Sequence, residues 1–106
     1  MPNDIYEIRA SVFKALSHPT RLKILDLLGS EGETCVCNIV KELDIDQPTV
    51  SKHLFILKNA GIIDSRKEGL MVFYSLRIPC AKEFFRCVDN IIKADVQLKS
   101  GFLNDG

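Results

Sequence analysis

Residues 37–61 read CNIVKELDIDQPTVSKHLFILKNAG, and two helical patterns meet inside this stretch with only Asp44, Ile45 and Asp46 between them. The first pattern is short, from about Cys37 to Leu43. The second opens on Asp46 or Gln47 as its cap, carries Pro48 in the first turn, where a missing amide hydrogen is harmless, and stops at Gly61. At about 100° per residue, Val50, Leu54 and Leu57 fall on one apolar stripe, while Pro48, Ser51, Lys52 and Phe55 project from the opposite side. Two helices joined by so short a turn, the second presenting polar groups outward, make a helix-turn-helix.

Downstream, residues 62–76, IIDSRKEGLMVFYSL, change period: two runs rich in β-branched and aromatic residues flank Lys67, Glu68 and Gly69 and predict a hairpin, which makes the unit winged. Upstream, residues 4–17 place Ile5, Ile8, Val12 and Leu16 at helical spacing behind Asn3 or Asp4 as cap. Residues 18–32, HPTRLKILDLLGSEG, give a second, more buried helix. It starts near Pro19 with His18 as a cap or turn residue, carries Leu22, Ile24, Leu25, Leu27 and Leu28, and takes Gly29 as its stop. A final helix from Pro79 to about Lys99 spreads Phe84, Phe85, Val88, Ile91, Ile92 and Val96 over more than one face. The expected fold is mainly α with a small β-hairpin. It is one winged helix-turn-helix domain over 1–106, with a recognition helix about 47–60, a wing about 62–76 and a last helix about 79–99. The surplus apolar surface of that helix, with Tyr6 and Phe13 on the first, predicts a homodimer.

With 106 residues, 46% hydrophobic and 26% charged, the chain has the composition of a soluble globular protein. No apolar run approaches the roughly 18 residues of a membrane span. MPNDIYEIRA places acids early and has no continuous apolar stretch, so a cytoplasmic location without a membrane partner is expected. Fourteen basic residues balance fourteen acidic ones, yet the segment from Gln47 to Arg77 carries a net +3. The electropositive part therefore coincides with the helix-turn-helix and wing. Gln47, Thr49, Ser51 and Lys52 are short or flexible hydrogen bonders suited to base edges and phosphates, and Arg66 and Lys67 at the hairpin tip could reach the adjacent backbone or minor groove. His53 projects to the flank of the buried stripe, where a packed or hydrogen-bonded histidine is expected rather than a base reader. The same architecture also serves as a protein-interaction module.

The segments HPTRLKILDLL, CVCNIVKELDIDQPTVSKHLFILKNAGII and RKEGLMVFYSL together resemble the ArsR/SmtB family of metal-responsive winged-helix repressors, over roughly residues 9 to 95. The resemblance implies a homodimer through the first and last helices that occupies double-stranded operator DNA and leaves when an inducer binds. Two-fold symmetry then makes the operator palindromic. It also implies that Gln47, Ser51 and Lys52 contact DNA, with Pro48 and Thr49 beside them.

Cys35 and Cys37 fall on a Cys-Val-Cys motif with which several members of that family bind arsenic(III), antimony(III), cadmium or lead. Thiolates hold such soft ions tightly, and a helix N-terminus favours the anion. In a regular helix side chains at i and i+2 diverge by about 200°, so ligation is expected to distort the first turn of the third helix. Val40 stands where arsenic-sensing versions often carry a further cysteine. Cys80 and Cys87, seven residues apart on the expected last helix, are core residues, interface thiols or additional ligands. A redox or persulfide switch is the alternative use of the thiols. The family's zinc site on the last helix is not expected, because Pro79 to Gly106 contains no histidine. An enzyme is not expected either: a thiol oxidoreductase normally needs a thioredoxin-like βαβ pattern, which this chain lacks.

Overall fold

The computed structural model describes residues 4–78 and 80–103, with side chains up to Val96. Its elements run α1 (Ile5–Leu16), α2 (Pro19–Glu31), β1 (Thr34–Cys35), α3 (Val36–Leu43), α4 (Gln47–Asn59), β2 (Ile63–Glu68), β3 (Met71–Leu76) and α5 (Ala81–Leu103). The fold is the expected winged helix-turn-helix. Each of the first four helices is started by a side chain that accepts an otherwise orphaned amide hydrogen. Asp4 takes that of Tyr6, His18 that of Thr20 through Nδ1, Cys35 that of Asn38 through Sγ, and Asp46 that of Thr49. The other expected cap, Asn3, and the expected start of the last helix, Pro79, lie outside the described residues.

Three expected boundaries move, one of them the end of the last helix, which runs to Leu103 rather than about Lys99. Helix α2 passes through Gly29 and ends at Gly32, whose φ of 77° is the left-handed conformation that releases the chain from a helix. Gly29 instead lies where a side chain would meet Leu76 and Lys82. The wing is three-stranded, in the order β1-β3-β2, because the two residues of β1 add to β3 with Thr34 opposite Tyr74 and Cys35 opposite Phe73.

The core lies where α2, α3, α4 and the base of the wing meet. Ile24, Leu25 and Leu28 of α2 pack with Ile39 of α3, Val50, Leu54 and Leu57 of α4, and Ile62 and Ile63 at the entry to β2. Each such side chain contributes about 1.5–3 kcal/mol by leaving water. The buried stripe of α4 is the one its sequence spacing gives, so its opposite face is fixed in solvent. The N-terminal half of α1 does not join this core. Ile5 and Ile8, on its expected buried stripe, are about half exposed.

Candidate nucleic-acid interface

The turn before α4 sets where its outward face points. Asp44 takes a left-handed φ of 54°, tolerated by aspartate better than by most side chains, and its amide donates to the Val40 carbonyl at 2.9 Å to close α3. Ile45 tucks against the core, and Asp46 then starts α4. Gln47, Pro48, Thr49, Ser51 and Lys52 are all exposed on the first turns, Pro48, Ser51 and Lys52 on the side the sequence assigned to them. Thr49 is partly committed: its hydroxyl donates to the Asp46 carboxylate at 2.8 Å, and these bonds hold that carboxyl below its usual range.

His53 faces inward and is 8% exposed. Its Nδ1 accepts from Arg21 Nε at 3.2 Å, and its ring centroid lies 4.4 Å from that of His18. Burial, reinforced by His18, Arg21 and Lys52, pushes its pKa down, so it is a neutral packed side chain.

The wing corrects one expectation. Its tip is Gly69 and Leu70, with Gly69 at a φ of 62°, and neither Arg66 nor Lys67 sits there. Pairing continues outward to Glu68 opposite Met71, leaving a two-residue connection that needs a residue tolerant of positive φ. Lys67, one step back, is exposed. Arg66 is held: it meets Glu33 at 2.6 and 3.1 Å and Glu68 at 2.6 Å, with its guanidinium 4.9 Å from the centre of the Phe73 ring. These partners raise the Arg66 pKa, and the Arg66 hydrogen bonds lower that of Glu33. Lys58 at the far end of α4 donates to Ser65 of β2 at 2.6 Å and ties the recognition helix to the wing.

Cys35 and Cys37 also depart from the helical geometry expected of them. Cys35 precedes α3 in extended conformation, as strand residue and cap, so the two side chains do not diverge as helical i and i+2 neighbours would. They converge and are joined as a disulfide, their Cα atoms 5.3 Å apart. Cys35 is buried under the wing, and Cys37 is exposed. Cys80 and Cys87 are free and exposed rather than packed in this chain's core, and Cys80 precedes α5 instead of belonging to it. Among the described residues, no group of three or more cysteine, histidine or acidic side chains is placed to hold a metal ion. Sequence reading missed Glu33 and Phe73: Glu33 reaches Arg66 across 33 positions, a pairing with no local signal.

Residues 18–65 match the bacterial regulatory protein family arsR. The chain is 50% identical over 86 residues to an uncharacterised helix-turn-helix regulator of Methanocaldococcus jannaschii, covering 81% of this chain and 97% of that protein. The chain belongs to the ArsR family. It is also 41% identical over 93 residues to the arsenical resistance operon repressor of Escherichia coli, covering 81% of this chain and 80% of the repressor. In three dimensions it is similar to the homodimeric winged helix-turn-helix DNA-binding domain of a possible ArsR-family regulator from Mycobacterium bovis. That likeness has a TM-score of 0.74 at 30% identity and covers 93% of this chain and 94% of that one. As an ArsR-family protein the chain is a DNA-binding transcriptional repressor and not an enzyme. No helix among the described residues is long and apolar enough to cross a membrane.

Proposed function

We propose that the whole chain acts as one winged unit in the cytoplasm, pairs through α1 and α5, and occupies a palindromic operator until a thiophilic ion binds Cys35 and Cys37. Arsenic(III) or antimony(III) is the favoured inducer, with cadmium and lead as further candidates. One observation carries this reading: the two sulfurs converge at the junction of β1 and α3, between the wing and the recognition helix. Cys35 pairs with Phe73 of the wing, and Cys37 lies in the helix that leads through a three-residue turn into α4. Once reduced, the pair offers two soft donors from the motif, and the third position of a trigonal ion falls to an external thiol or solvent. Ligation that pulls on the start of α3 changes the seating of both DNA-reading elements together.

On the DNA side, Gln47, Ser51 and Lys52 enter the major groove with Pro48 and Thr49 beside them. Lys67 approaches the flanking backbone, and Arg66 joins it only when released from Glu33. The test is an operator mobility shift with reduced protein, titrated with arsenite, antimonite, cadmium, lead and zinc. Release by a soft ion in the wild type and none in Cys35→Ser/Cys37→Ser is expected. A wild type that no ion releases, or a double variant that responds equally, overturns the metal reading.

The disulfide itself favours a second reading, in which oxidation is the signal. A peroxide or polysulfide removes two electrons and two protons from the thiols, forming one S–S bond. This reading requires that oxidised protein leave the operator and that a dithiol restore binding, with the Cys35–Cys37 crosslink visible by mass spectrometry.

A further inference from the structure

Phe55 is 63% exposed on α4, in the middle of the face that the buried stripe turns to solvent. Its helical neighbours on that face are Ser51 and Lys52 on one side and Lys58 and Asn59 on the other, all exposed. The other exposed large apolar side chains sit mainly on α1, α5 and the wing tip. Phe55 is therefore an apolar group flanked along its own helix by polar and cationic side chains, on a different element from the exposed apolar residues of α1 and α5.

Pro48, Ser51, Lys52 and Phe55 stand at i, i+3, i+4 and i+7. This is the spacing by which a recognition helix lying along the major groove places four side chains on base edges, as in homeodomains. From Pro48 to Phe55 the helix rises about 10 Å, roughly the length of three base pairs. Within the major groove the apolar group on offer is the thymine C5-methyl, which phenylalanine contacts without a hydrogen bond. Lys52, one turn before the ring, matches the charge of the phosphate backbones that border the groove, whereas Lys58, one turn after it, is bonded to Ser65.

We infer that Phe55 is a specificity-determining residue that packs on a thymine methyl group in each operator half-site. The inference rests on the DNA-bound orientation of α4 proposed above. It adds an apolar reader to the polar set, one turn further along the helix.

The experiment uses the full chain and an operator recovered by in-vitro selection, with each thymine replaced in turn by deoxyuridine to delete only the methyl. Binding is measured for the wild type and for Phe55→Ala, whose exposed position makes it a mild change to the fold, checked by thermal melting. At one thymine per half-site, methyl removal should weaken the wild type about fourfold, the effect of one buried methyl-sized group. Phe55→Ala should bind the unmodified operator more weakly and show no penalty at that position. Its salt dependence should match the wild type, whereas Lys52→Ala should lower the salt slope by about one. If deoxyuridine penalties are absent, or identical in wild type and Phe55→Ala, the inference is wrong while DNA binding stands. If the wild type shifts no duplex, the orientation of α4 falls and this inference with it.

Discussion

His53 shows how one side chain links the reading helix to the rest of the fold. Its ring fills the flank of the buried stripe, and its Nδ1 is the acceptor for Arg21, whose Nη1 also donates to the Ala15 carbonyl in the last turn of α1. Protonation would remove that acceptor and place a cation beside Arg21, Lys52 and His18. The folded pKa therefore lies below the ordinary 6.5, with burial the largest cause. The sign follows from proton counts. Below 6.5 the unfolded chain binds more protons than the folded one, so the stability due to neutral His53 is full above that value and is lost as pH falls through the folded value. The wild-type melting temperature should drop as pH falls below the ordinary histidine value of 6.5. His53→Asn, which keeps an acceptor for Arg21, should flatten that slope; equal slopes in the two proteins would refute the assignment. Leu54, fully buried next to His53, gives the contrasting case. Leu54→Ala should cost about 2–5 kcal/mol in urea denaturation, independent of pH, because it leaves a cavity and changes no charge. Both roles were legible in the sequence, since the angular position that buries Leu54 also puts His53 at the margin.

At the scale of elements, the helices were legible and the strand that joins them to the wing was not. Helical spacing and caps are local, so Asp46, Pro48 and Gly61 marked α4 without help from the fold. Strand β1 has two residues, too few to show a period, and exists because Thr34 and Cys35 find Tyr74 and Phe73 some forty positions away. The same non-local reach hid the pairing of Arg66 with Glu33. Two glycines in GSEG offered a stop for α2, and only the backbone angle at Gly32 distinguishes them. The row Cys35, Phe73, Arg66 across the three strands places the thiol pair two strands from the wing's held arginine. Glu33 and Glu68 now neutralise that arginine. Glu33→Gln should loosen it and steepen the salt dependence of DNA binding by up to about one counterion. Arg66→Ala should then reverse the gain in the Glu33→Gln background and change little in the wild type. A Glu33→Gln protein with unchanged salt slope would mean that Arg66 stays off the phosphates.

For the whole molecule, the decisive surface is the one the monomer leaves uncovered. Tyr6 and Phe13 on α1, with Ile91, Ile92 and Val96 on α5, are each more than half exposed. Phe13 and Phe84 meet at 5.7 Å, so the two helices form one continuous apolar face. An exposed apolar face of this kind is costly in water, and in the pairing proposed above a two-fold axis lets the same patch cover itself. Ile91, 69% exposed, tests this with least damage to the monomer, because no core side chain depends on it. Ile91→Asp should keep its helical circular dichroism yet sediment as a monomer, since a carboxylate would otherwise be buried in the apolar contact. Operator affinity should fall about a hundredfold or more, because two reading helices then bind independently rather than as a linked pair. An isolated half-site should bind the variant and the wild type alike. If Ile91→Asp still sediments as a dimer, the pairing uses another face; if it is monomeric yet binds the full operator undiminished, the two-fold reading of the operator is wrong.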